Sequence, residues 1–229
     1  MYSKIINGQL ALGYGSKYQL LRMLGWHRHD FTEKIKAATG IQGDVQWLDF
    51  EYSGPCDKEL LNLDFIPEVK EEWRHDWMCG RGGINWDAVG IADDGTYVLV
   101  EAKAHIQEMK SAAGGNSRAK EHNSRRIAAF MDKHGIQAPI EAWTDEAYQL
   151  ANRLVITDFL LSRNYKVKLV YVLFENGFEY NCSKADSASA DEWMAEMRRE
   201  FDLLGITGTR VEDMVNICII NCDSTKSKP

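Results

Sequence analysis

Residues 84–104, INWDAVGIADDGTYVLVEAKA, constrain the fold of this chain more than any other stretch. The segments 86–91 and 97–104 are rich in β-branched and aromatic residues, and Asp93-Asp94-Gly95 between them supplies the positive-φ glycine that a tight hairpin loop needs. Centring the loop on Asp94 fixes the register. Asp87 then faces Glu101, Asn85 faces Lys103, and all four side chains lie on one side of the sheet. Toward the turn that side carries Val89, Ile91, Tyr97 and Leu99, while the other carries Ala88, Val98, Val100, Ala102 and Ala104. The pattern predicts a strand pair buried on both faces, with two acids and a lysine converging at one end.

Unpaired charges taken out of water cost on the order of several kcal/mol each, comparable to the whole stability of a domain, so something must compensate them. In one reading Lys103 is shared between Asp87 and Glu101 as an internal salt bridge, which leaves the cluster with a net negative charge. In the other a divalent cation supplies the missing positive charge. Mg²⁺ suits such a place because it takes a few carboxylate oxygens and keeps waters that substrate oxygens can replace.

Asp87, followed on the next strand by Glu101-Ala102-Lys103, resembles the PD-(D/E)xK nuclease superfamily, with Trp86 standing where that family has its nominal proline. The resemblance implies an α/β fold with a restriction-endonuclease-like core: a mixed central β-sheet of element order α-β-β-β-α-β, flanked by helices. It implies that Asp87, Glu101 and Lys103 are catalytic. Asp87, Glu101 and the backbone carbonyl of Ala102 would hold Mg²⁺, for which Mn²⁺ can substitute, and Lys103 would orient the attacking water or stabilise charge on the phosphate. In such enzymes an acid from the first helix often completes the metal site. Glu33 is the only glutamate in that helical region and the natural candidate, with Asp30 and Glu51 as competitors. A glutamine on the second core helix often touches the site, and Gln149 is placed to do so.

The order of elements along the chain agrees with that core over roughly residues 16–175. Residues 16–39 carry apolar positions at helical spacing, with Gly25 as a break and Gly40 as a stop. DVQWLDFEY, 44–52, alternates as a strand. Residues 56–83 read as an insertion with a short helix broken at Pro67 and a glycine-rich return through Gly80-Arg81-Gly82-Gly83. After the hairpin come a loop, a helix over 126–134, and a helix over 144–162 with Thr144 as N-cap. In that last helix Gln149, Asn152 and Arg153 share a face, which is either turned to the site or simply solvated. VKLVYVLFE, 167–175, is apolar enough for a buried parallel strand. The C-terminal extension, 176–229, adds an amphipathic helix over 190–204 and a strand over 211–222, and its last six residues, STKSKP, read as frayed.

With 229 residues, of which 45% are hydrophobic, one compact domain with a sizeable core is expected. No apolar run or leader segment indicates a membrane or export, so the expected location is the cytoplasm. Five cysteines at 56, 79, 182, 218 and 222 form no disulfide framework. Cys218 and Cys222 stand about 13 Å apart if on one strand, and His75 with Cys79 makes at most half a zinc site. His27 and His29 read as polar surface or as satisfied core histidines, while His105, two residues past Lys103, either contacts phosphate or caps the strand. Nucleophile-elbow, zinc-helix and phosphate-loop motifs are lacking.

A net charge of −7 argues against broad affinity for nucleic acid, which relies on many lysine and arginine contacts. The stretch SRAKEHNSRR, 117–126, offsets this locally. Arg125 and Arg126 could face substrate from a loop over the site, or the run could just face water. The expected function is a metal-dependent phosphodiesterase acting on nucleic acid, in the first place a DNA endonuclease of restriction or repair type; a homodimer is left open. The alternative is a non-catalytic binding or assembly module that keeps the fold and holds these charges as a structural bridge.

Overall fold

The computed structural model describes residues 15–48, 60–77, 83–177 and 187–225. The chain is α/β, with a five-stranded mixed sheet between two layers of helices. The strands β1 (Val45–Trp47), β4 (Ala88–Ala92) and β5 (Tyr97–Lys103) form an antiparallel meander. Next to β5, and parallel to it, lies β6 (Val167–Glu175), followed by the parallel β7 (Val215–Asn221). A small second sheet pairs β2 (Leu60–Leu61) with β3 (Asn85–Trp86). Among the described residues no helix is long and apolar enough to cross a membrane.

The hairpin forms in the expected register. Ala88 pairs with Val100, Val89 with Leu99 and Ile91 with Tyr97, and the loop closes as Ala92 N–H donates to Thr96 O at 2.9 Å. Gly95 takes φ 81, a conformation that an L side chain rarely adopts. Because successive strand residues alternate faces, β5 serves two cores. Val98, Val100 and Ala102 pack with Leu20, Leu24, Phe31 and Ile35 of α1 (Gly15–Trp26) and α2 (Arg28–Thr39). Leu99 packs on the other face with α3 (Pro67–Asp76), α4 (Ser117–His134), α5 (Tyr148–Leu161) and α6 (Ala190–Leu204). The long apolar β6 is buried on both faces, as its composition predicts.

Gly90 marks the tightest approach within the sheet. A Cβ there would lie 2.6 Å from Val45 Cγ1 and 3.2 Å from the Trp47 ring. Gly90→Ala must therefore push β1 outward, and overpacking of this kind costs about 1–3 kcal/mol. A lowered urea midpoint at unchanged m-value is the expected result; an unchanged midpoint would show that β1 yields freely.

Three expectations need correction. Pro67 begins α3 instead of breaking it, because proline suits the first helical position, where its missing N–H has no partner to lose. Residues 117–126 are not a loop: Asn116 caps the N-terminus of α4 by accepting from Ala119 N–H at 2.9 Å, so the basic run is the start of that helix. Thr144 is not an N-cap. It lies in a wide helical turn, Ala142–Glu146, and its hydroxyl donates to Ile140 O, while Ser111 caps α5 by accepting from Gln149 N–H at 2.7 Å. Within the segment 56–83, Val69, Trp73 and Trp77 pack into the main core. The expectations for residues 49–52, Cys56, Cys79, Gly80 to Gly82, Cys182 and the last four residues lie outside the described residues; Cys218 and Cys222 are buried and form no disulfide.

Candidate functional site

The site is built where β4 stops following β5. Asp87 N–H donates at 3.2 Å to Val100 O, although Val100 is already the partner of Ala88. Two residues thus stand opposite one, a bulge, which turns the backbone and re-aims a side chain. Before the bulge the chain leaves the main sheet: Leu61 pairs with Asn85 and Leu60 with Trp86. The Trp86 indole is buried and donates at 2.7 Å to Asn62 O, which anchors the departure. Asn85 consequently does not face Lys103, as strict hairpin pairing would have it.

Asp87 takes the place that a neighbouring strand would otherwise fill. Its Oδ2 accepts from Ala102 N–H at 2.7 Å. The amide and carbonyl of one strand residue point the same way, so the Ala102 carbonyl projects from the edge of β5 that carries the Asp87 carboxylate.

Glu101 and Lys103 project from β5 into the face covered by α5 and α6, and both are buried, at 2% and 5% relative exposure. Lys103 Nζ donates to Glu101 Oε1 and to Gln149 Oε1, each at 2.6 Å. The other Glu101 oxygen belongs to Arg153, whose Nε and terminal nitrogen donate to Oε2 at 3.0 and 2.7 Å. The guanidinium also donates to Asn85 O and Asn152 Oδ1, at 2.6 Å each, and lies 4.6 Å from the centre of the Trp86 ring. Burial pushes the Glu101 carboxyl upward, yet the charges and hydrogen bonds of Lys103 and Arg153 outweigh it and hold its pKa below the ordinary value. The shared face of Gln149, Asn152 and Arg153 therefore looks inward, and the solvated alternative fails for Asn152 and Arg153, which are buried. Lys103 and Arg153 balance Asp87 and Glu101, so the net negative charge expected from the first three residues alone does not arise.

Two further groups border this cluster. Tyr171, the cross-strand partner of Glu101, is 1% exposed, and its hydroxyl has no hydrogen-bond partner among the described residues. Burial raises its pKa well above the ordinary value, reinforced by the charges of Glu101, Glu200 and Asp87. Glu200 on α6 is also 1% exposed; its Oε1 has no hydrogen bond among the described residues, and an Arg199 nitrogen lies 3.9 Å from it. Burial lifts its pKa to about 8, against the opposing charges of Arg199 and Lys103.

The remaining candidates lie elsewhere. Glu33 is exposed on α2, paired with Lys36 at 2.7 Å, in the helical layer on the opposite side of the sheet from Glu101. Its helix packs through Phe31 and Ile35, which turns Glu33 to solvent, and Asp30 is likewise exposed; Glu51 lies outside the described residues. Arg125 is exposed and paired with Glu121, and Arg126 pairs with Asp76 of α3 at 2.5 Å. His105 is buried just past the end of β5, where its carbonyl accepts from Glu108 N–H.

Among the described residues no three acids, histidines or cysteines gather closely enough to cage a metal by themselves. The donor chemistry at the bulge nonetheless fits a hard cation: two carboxylates and a backbone carbonyl, all oxygen, along one stretch of β5. A carboxylate offers about four acceptor positions, and Glu101 commits three to Lys103 and Arg153. Its Oε1 is the oxygen held by a single side chain, Lys103. No protein-family model, curated protein or solved structure matches this chain.

Proposed function

We propose that this chain is a metal-dependent phosphodiesterase of the PD-(D/E)xK kind, acting on DNA. The observation that carries the reading is the bulge at Asp87, which places an aspartate carboxylate and the Ala102 carbonyl on one edge of β5, beside Glu101 and Lys103. The order α2, β1, β4, β5, α4 with α5, then β6 parallel to β5, supports a restriction-endonuclease-like core. Asp87, Glu101 and the Ala102 carbonyl would hold Mg²⁺, which when bound supplies an acidified water and polarises a phosphoryl oxygen. Lys103 offsets charge that grows on that oxygen, and Gln149 keeps the ammonium at the edge of β5. Arg153 fixes the Glu101 rotamer through its two parallel hydrogen bonds.

The test compares plasmid cleavage in Mg²⁺ or Mn²⁺ by the wild type, Asp87→Asn and Lys103→Ala. Asn keeps an oxygen for Ala102 N–H while removing the charge. Losses of about 10²–10³-fold are expected in both variants; cleavage surviving both would refute the assignment.

A second reading is favoured by one observation, the commitment of both Glu101 oxygens to buried cations. On that reading the chain is a non-catalytic binding or assembly module and the four charges are a structural lock. It requires wild-type protein that neither cleaves nor binds Mn²⁺, together with Lys103→Met that folds and functions normally.

A further inference from the structure

The first turn of a helix leaves amides without partners, and a serine, threonine, aspartate or asparagine at the helix's own start normally accepts from them. α5 has no such residue: Ala147 stands at the capping position, and the Thr144 hydroxyl is turned back to Ile140 O. The acceptors come instead from Ser111, 38 residues before Gln149. Ser111 Oγ accepts from Gln149 N–H at 2.7 Å, Ser111 O accepts from Tyr148 N–H at 3.1 Å, and Ser111 N–H donates to Glu146 O at 2.9 Å. Ala113 N–H adds a bond to Thr144 O at 2.6 Å. A serine at position 147 would cap the same helix, but it would not tie α5 to the segment that leaves β5.

The tied helix meets β5 as a ladder with two rungs. Gln149 reaches Lys103 at 2.6 Å, and Arg153 reaches Glu101 at 2.7 and 3.0 Å. Four helical residues rise about 6 Å and two strand residues about 6.6 Å, so both rungs form together only in one axial register of helix and strand. Arg153 is held at its rung by further bonds to Asn85 O and Asn152 Oδ1. Gln149 lies in the first turn, where helices fray, and Ser111 holds that turn.

Resting on the phosphodiesterase reading of Asp87, Glu101 and Lys103, we propose that Ser111 is a positioning residue for the reaction. By clamping the first turn of α5 it fixes Gln149, and through Gln149 it holds the Lys103 ammonium where charge grows on the phosphoryl oxygen. Lys103 ends β5, and Ser111 follows it in the same stretch of chain, just past the short helix Ile106–Met109. The bonds from Ser111 to Gln149 and from Gln149 to Lys103 therefore close a ring back onto β5. Such a ring removes the rotamer freedom of a long lysine side chain before substrate arrives. Ser111 is not among the proposed cation ligands, so its loss separates the two tasks of the site: Asp87, Glu101 and the Ala102 carbonyl still hold the ion, whereas Lys103 loosens.

The experiment measures DNA cleavage in Mg²⁺, and Mn²⁺ binding, by the whole chain carrying Ser111→Ala, Ser111→Thr, Gln149→Ala, or Ser111→Ala with Gln149→Ala. Ser111→Ala is expected to lower kcat about 10–100-fold while binding Mn²⁺ as wild type does, and Ser111→Thr, which keeps the hydroxyl, to recover most of the rate. In the Gln149→Ala background Ser111→Ala is expected to cost no further kcat, because the ammonium has already lost its amide partner. Wild-type kcat in a folded Ser111→Ala, the same loss with and without Gln149, or a loss of Mn²⁺ affinity that matches the loss of kcat would overturn the positioning role and leave the site standing. Wild type that cleaves nothing would overturn the phosphodiesterase reading, and this inference with it. Hydrogen exchange on the wild type decides the matter even if Ser111→Ala fails to fold: the Gln149 amide is expected to exchange as slowly as those in the middle of α5, and fast exchange there would overturn the clamp.

Discussion

Arg153→Met is expected to destabilise the fold by about 3–5 kcal/mol, the usual consequence of removing one partner from a buried, hydrogen-bonded ion pair. The variant strands Glu101 Oε2, Asn152 Oδ1 and the Asn85 carbonyl at once, and removes the cation that faces the Trp86 ring. Lys103 alone must then hold a carboxylate that is 2% exposed. Urea unfolding measures the loss. Adding Glu101→Gln should recover part of it, because the double variant no longer buries an uncompensated charge, and the coupling energy reports the pair directly. A loss below about 1 kcal/mol would place Arg153 among ordinary surface ion pairs and remove the argument that it neutralises the cluster.

Stability should also depend on pH in two opposite senses. Glu101 has a folded pKa below its ordinary value of 4.5, so its contribution is present above that value and is lost as pH falls through the folded pKa. Glu200 runs the other way. Its pKa rises from 4.5 to about 8 on folding, so the native chain holds a proton that the unfolded chain has released, and stability falls as pH climbs through that window. The slope approaches about 1.4 kcal/mol per pH unit for one such group. Glu200→Gln should flatten it and leave the variant more stable than wild type above the window. Urea midpoints at several pH values check this; parallel profiles for the two proteins would mean that Glu200 is solvated and ionised in the native state.

Much of this architecture could be read from local chemistry. The loop centred on Asp94 dictated the hairpin register, and the apolar run at 167–175 and the amphipathic run at 190–204 became β6 and α6 with the same limits. Lys103, Glu101 and Gln149 meet as their strand faces and helix position suggested. What escaped the sequence is long-range. Alternation along a strand cannot reveal a bulge, so Asp87 was expected straight across from Glu101; the bulge arises because β3 leaves to pair with β2. Arg153 sits four residues after Gln149, a spacing that was visible, but its burial depends on Asn85 and Trp86 arriving from a remote segment. Glu200 left one signal, an acid within an apolar stripe. Glu33 misled because a helix pattern does not say which side of the sheet the helix will cover.

The most direct measurement is an equilibrium titration with Mn²⁺, followed by the electron paramagnetic resonance of the free ion, on the wild type and on Asp87→Asn. One ion bound by the wild type, displaced by Mg²⁺, and none bound by a folded Asp87→Asn is the result expected of a cation site at the β5 edge. Wild-type protein that leaves all the Mn²⁺ free, or Asp87→Asn that binds it as well as wild type, would contradict that site.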